Sequence, residues 1–174
     1  MADKLKHVLR LKATATRFFK ADPKLVTNHL KKAADIYQKI NGYFNFGDST
    51  NNFAKEDETS EEFQKTNAEL QAIKIVTFNN LTVCKHKMEE WQSVLGITEQ
   101  VLSEQMDPGN KKAMYFRAFA LIKTEEFEGA ISCIQDLLKI DPEHAEAKKL
   151  LVNAKKLHQK HFERETAKFA SLFK

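Results

Sequence analysis

DPGNKKAMYFRAFALIKTEEFEGAISCIQDLLKIDP, residues 107–142, decides how the rest of the chain is read. It opens on Asp107-Pro108 and closes on Asp141-Pro142, a spacing of 34 residues. Glu125-Glu126 splits it into two helical runs, Asn110 to Lys123 and Glu125 to Ile140. Ala118 and Ala130 supply a small residue in each run, where two helices can approach closely. The stretch therefore predicts a helical hairpin.

The hairpin has a neighbour. Glu89-Glu90-Trp91-Gln92-Ser93-Val94 parallels Glu125-Glu126-Phe127-Glu128-Gly129-Ala130. A helix from Glu61 to His86 and a second from Met88 or Glu89 to Gln105 form that unit, with Leu81, Thr82 and Val94 in the matching places. Trp91 to Pro108 is two residues longer than Phe127 to Pro142, which predicts an extended second helix. One such unit cannot bury its apolar face alone, so at least three are required, and the first must lie upstream. Leu5 to Lys20 provides its first helix. Asp22-Pro23 marks a helix start, and Lys24 to Ile40 follows with Ala33 and Tyr37 one turn apart.

Composition agrees. The chain has 174 residues, enough for one compact array. With only 5 glycines and 3 prolines, it lacks the turn residues of an all-β fold and the glycine loop of a Rossmann or P-loop enzyme. No apolar run is long enough to span a membrane, and the basic N-terminus has no apolar core of a secretory signal. That terminus is a weak match to a mitochondrial presequence, against which Asp3 counts. Cys84 and Cys133 fall inside helical patterns and read as small buried hydrophobes of a reducing, cytoplasmic compartment.

The expected fold is all-α: three helical hairpins in a right-handed superhelix, then a long C-terminal helix. Residues 1–144 hold the repeats (1–41, 61–108 and 109–144), with an acidic loop at 42–60. That loop carries Asp48 and Glu56-Asp57-Glu58, next to Glu61 and Glu62, and its Gly47 to Ser60 part is expected to be protease-sensitive. Residues 145–174 form a capping and extension helix. Ala145, Ala147, Leu150, Leu151, Ala154 and Leu157 cover the last hairpin. Phe162, Phe169, Leu172 and Phe173 leave an apolar stripe beyond it. Net charge is +4, with basic ends flanking the acidic loop.

A 34-residue self-similarity is the mark of tetratricopeptide (TPR) repeats. Asn80-Leu81-Thr82-Val83-Cys84, Trp91 and Asn110 through Ala118 resemble the TPR domain of FK506-binding immunophilins and of the aryl-hydrocarbon-receptor-interacting protein group. The ending Ala167 to Phe173 resembles the aromatic tail that closes those domains. The resemblance implies a groove for the C-terminal tail of a chaperone, heat shock protein 90 or 70, ending Glu-Glu-Val-Asp. It also implies a clamp in which Lys, Arg and Asn donors converge on two carboxylates. Matched position by position, Lys12, Thr16, Asn80 and Lys112 stand at clamp places. The clamp arginine is replaced by Phe116, with Arg117 one residue further round the helix.

Nothing in the sequence assembles a nucleophile with a base, a phosphate loop or a metal cluster, so neither enzyme activity nor a cofactor is expected. His158 and His161 have possible metal spacing but no nearby ligands, and read as a solvated face. The basic final helix carries no nucleic-acid motif. The expected function is a non-catalytic co-chaperone adaptor that binds an acidic peptide. The alternatives are a scaffold subunit contacting neighbours in a large assembly, and the C-terminal part of an FK506-binding prolyl isomerase whose catalytic domain lies outside these residues.

Overall fold

A computed structural model describes residues 2–20, 26–47 and 61–172. They form seven helices: α1 (Ala2–Lys20), α2 (Val26–Gly47), α3 (Glu61–Lys87), α4 (Trp91–Val101), α5 (Lys111–Lys123), α6 (Phe127–Ile140) and α7 (Ala145–Ser171). Asp22-Pro23 and the segment 48–60 of the expected acidic loop lie outside the described residues.

The turns inside the second and third hairpins share one backbone solution. Glu89 (φ 59°) and Glu125 (φ 63°) both adopt the left-handed conformation. After α3, the Glu89 N–H bonds to the His86 carbonyl and the Glu90 N–H to the Lys85 carbonyl. After α5, Glu125 and Glu126 repeat the pattern on Ile122 and Leu121. This is the Schellman ending, which satisfies the last carbonyls of a helix and normally favours glycine. The paired Glu-Glu dipeptides of the sequence are thus structurally equivalent.

Helix starts repeat as well. The Asn110 side chain accepts the Ala113 N–H at 2.9 Å, capping α5. Thirty-four residues on, Nδ1 of His144 accepts the Ala147 N–H at 3.2 Å and caps α7. Each cap satisfies an otherwise unpaired first-turn donor.

Consecutive helices pack antiparallel, and α1 also touches α3, α3 touches α5 and α5 touches α7. Among the described residues α2, α4 and α6 do not touch one another. The odd-numbered helices are therefore the closer set, and they line the inner, concave side of the array. Two cores hold it together. One gathers Val8, Ala15, Ala33, Tyr37, Ile40, Leu81 and Cys84 from α1–α3. The other gathers Ala118, Ala130, Ile134, Leu137, Ala147 and Ala154 from α5–α7. Phe78, Val101 and Ala113 bridge them. Ala118 and Ala130 are fully buried, as their placement at helix crossings requires.

Three expectations are corrected. The second helix of the middle hairpin is not extended: α4 has 11 residues against 14 in α6. Its extra residues form the turn to α5, closed by the Asp107 N–H on the Val101 carbonyl and the Met106 N–H on the Ser103 carbonyl. Leu102 and Met106 fold back onto Phe78 and Val101, so apolar burial is gained without more helix. Second, α2 continues to Gly47, past the expected loop start at residue 42. Buried Ile40 and Phe44 hold these turns on the core and override the local preference of Asn41-Gly42 for a turn. Third, His158 and His161 are only partly solvated, their side chains 39% and 33% exposed. Their rings lie over Phe127, with centroids at 6.1 and 5.4 Å, and face Glu128 and Glu125 at 3.9 and 3.7 Å.

Asn41 carries an anomaly. It is 5% exposed, and neither Nδ2 nor Oδ1 has a hydrogen-bond partner among the described residues.

Candidate functional site on the inner face

The residues of the expected clamp sit on α1, α3 and α5, the helices that line the inner face. Three of them are connected through Tyr37 of α2. Its ring is fully buried, and its hydroxyl lies 3.2 Å from Thr16 Oγ1 and 3.4 Å from Asn80 Nδ2. The Thr16 hydroxyl donates to the Lys12 carbonyl at 2.8 Å, and the Asn80 amide can only donate to Tyr37. Proton directions are then fixed: Asn80 donates to Tyr37, Tyr37 to Thr16, and Thr16 to the Lys12 carbonyl. Burial raises the Tyr37 pKa above its ordinary value, and the Thr16 and Asn80 bonds oppose that rise in part. Asn80 and Thr16 are therefore oriented before any ligand arrives, which lowers the entropic cost of binding one.

On α5, Lys112 and Phe116 stand one turn apart. Lys112 forms no ion pair among the described residues, while partial desolvation of its ammonium lowers its pKa. Arg117 turns away from this face: its Nη1 donates to the Leu95 carbonyl of α4 at 3.3 Å. Phe116 enters an aromatic group. Its ring centroid lies 4.8 Å from that of His86 and 5.6 Å from that of Tyr115. His86 also meets Phe119 at 4.8 Å and Trp91 at 5.6 Å. Lys123 covers Trp91 and Phe119, each at 5.7 Å. Burial, then the Lys123 charge, push the His86 pKa down; Glu89 opposes them and Lys87 adds to them.

The inner face is thus graded. It offers the Lys12 and Lys112 ammoniums and the Asn80 amide as donors, the Thr16 proton being held by the Lys12 carbonyl, and the group around His86 and Phe116 is aromatic. Such a surface can hold an extended acidic chain, with charge-assisted bonds at one end and apolar contact further on. Among the described residues, no cluster of histidine, cysteine and carboxylate ligands could hold a metal ion, and no helix is long and apolar enough to cross a membrane.

Sequence reasoning missed the His86 group and the His144 cap. The available signals were Phe116 and Phe119, three apart on α5, and the position of His144 one 34-residue period after Asn110.

Comparison with known proteins agrees with this architecture. Residues 89–154 match the tetratricopeptide repeat family. The structure is similar to the C-terminal TPR-containing domain of a Plasmodium falciparum protein named as FK506-binding, with a TM-score of 0.72. That match has 18% sequence identity and covers 92% of this chain and 93% of the other. The repeated backbone turns, the 34-residue capping period and these two matches lead to one conclusion: the chain has the tetratricopeptide-repeat fold, and its residues 89–154 carry the sequence of that repeat.

Proposed function

We propose that this chain is a non-catalytic protein-interaction module whose inner face takes the acidic C-terminal tail of a heat-shock chaperone. The observation that carries the reading is Lys112: an exposed ammonium on the inner helix α5, with no counter-ion among the described residues. Such a cation gains a charge-assisted bond from an incoming carboxylate. Lys12 and Asn80 supply further donors, and Thr16, its proton held by the Lys12 carbonyl, keeps Tyr37 and so Asn80 in place. Arg117, bonded to Leu95, is not counted among the donors, and Phe116 gives the neighbouring ligand residue an apolar wall.

Titration calorimetry with a Glu-Glu-Val-Asp peptide, bearing a free or an amidated C-terminus, tests this. The free acid should bind more tightly, and Lys112→Ala should cost roughly 1–3 kcal/mol. Binding should weaken as salt rises. No binding at high protein concentration in low salt refutes the reading and favours the scaffold subunit, for which exposed Phe162 on α7 and Leu172 just after it speak.

A further inference from the structure

We propose that Asn41-Gly42 is a buried modification site: it deamidates spontaneously through a succinimide when the end of α2 opens, and the product irreversibly unlocks the first hairpin. The chemical step stands apart from the interaction reading given above.

Asn41 is the only asparagine of the chain that a glycine follows. The Gly42 backbone nitrogen attacks Asn41 Cγ and a cyclic imide closes. The side-chain nitrogen leaves as ammonia, taking the Gly42 amide proton. Solvent water then opens the ring at either carbonyl and leaves aspartate or isoaspartate at position 41. Glycine favours the closure because it has no Cβ to crowd the attacking nitrogen and reaches the dihedrals the ring requires.

The folded chain blocks this step. Asn41 lies inside α2, which continues to Gly47. Helical dihedrals aim the Gly42 N–H along the axis toward the carbonyl of Gln38, away from the side chain of Asn41. Asn41 is also buried, which keeps the water of the second step away. Reaction therefore waits until these turns unwind. The same residues make them the weak part of the helix. Asparagine and glycine are poor helix formers, and both polar atoms of the Asn41 amide lack a partner among the described residues, so unwinding returns them to water. Ile40 and Phe44 on the core, and Tyr43 edge-on to His7 of α1 at 5.2 Å, pull the turns closed again. Opening is thus local and reversible until the amide reacts.

The product does not fit back. A carboxylate would replace a neutral amide in a site that offers it no partner among the described residues, and isoaspartate adds a carbon to the backbone. Tyr37 stands one turn before Asn41, and its hydroxyl joins Thr16 of α1 to Asn80 of α3. Conversion at position 41 releases that link, so the first hairpin carries a one-way switch driven by age.

The test ages the full chain at 37 °C and pH 7.5, in buffer and in guanidinium chloride, and follows each asparagine by peptide mass spectrometry. Asn41 should convert before Asn67 and Asn153, which alanine follows. It should convert at least about tenfold more slowly in buffer than in denaturant, because only the opened fraction reacts. An added Cβ at Gly42 meets nothing within 4 Å, so Gly42→Ala is accommodated. It should slow conversion in both solutions, and by the larger factor in buffer, where alanine also holds the helix closed. The converted protein, separated by ion exchange, should show a lower unfolding midpoint and faster hydrogen exchange in α1 and α2, with α5–α7 unchanged. Asn41→Asp should reproduce the lower midpoint; where that variant does not fold, the aged protein supplies the comparison.

Equal rates in buffer and denaturant would show that α2 does not gate the site. Conversion in denaturant with none in buffer would show that the gate stays shut. A converted protein with the parental midpoint and exchange would show that nothing is switched. Each of these overturns the proposal.

Discussion

Asn41→Leu should stabilise the protein. Asn41 is 5% exposed on α2, between the buried Ile40 and the nearby Phe44, and both polar atoms of its amide are unpaired. An unsatisfied buried polar group costs about 1–3 kcal/mol. Leucine has the same branching at Cγ and adds a few tenths of a kcal/mol in helix propensity. It is larger, and overpacking returns about 1 kcal/mol of strain. The balance is a gain of roughly 1–2 kcal/mol. With a urea slope of about 2 kcal/mol/M, the midpoint should rise by roughly 0.5–1 M, and Tm by about 2–8 °C. The assay is urea unfolding followed by far-ultraviolet circular dichroism, with the slope checked for constancy. A midpoint equal to or below that of the parent would show that the amide is satisfied in solution, and would refute the packing of α2 described above.

Other outcomes follow from single features. Glu89→Gly should raise stability by about 0.5–1 kcal/mol in the same assay, because Glu89 holds a left-handed backbone that glycine adopts without strain. His144→Ala should cost about 1 kcal/mol by removing the α7 cap, and His144→Asn should restore most of it. The depressed His86 pKa means the unfolded chain binds more protons near pH 6, so stability should fall as pH drops below about 6.5. His86→Phe should flatten that slope in unfolding curves at pH 7, 6 and 5. Burial pushes the Cys84 and Cys133 thiols up to about 11, so both should react with iodoacetamide at pH 7.5 at least about a hundredfold more slowly in the native protein than in urea.

The hairpins of α3–α4 and α5–α6 were legible because their signals are local. Glu-Glu at the inner turns, Asp-Pro between hairpins and alanine at the crossings each follow from neighbouring residues in the sequence. What escaped depends on tertiary burial. Asn41-Gly42 reads as a loop until Phe44 is seen packed on the core. The extra residues before Pro108 read as helix until Leu102 and Met106 are seen folded onto Phe78. His158 and His161 read as solvated because Phe127, about thirty residues earlier, is what they cover. For the candidate site, the sequence places Lys12, Thr16, Asn80 and Lys112 on inner helices. That Thr16 and Asn80 meet through Tyr37, and that Arg117 faces α4, depends on side-chain directions that no spacing rule specifies.

Because the surplus of the middle hairpin resides in the turn after α4, chain length there is independent of groove register. One residue added inside α5 would swing everything beyond it by about 100° and break the alignment of Phe116 with His86. One added between Ser103 and Asp107 falls outside the helices and gives up at most the Met106–Ser103 bond, about 1 kcal/mol, besides a loop-closure cost of a few tenths of a kcal/mol. That turn is a natural seam of the array: a tag, a reporter peptide or a protease site grafted there would leave the inner face intact.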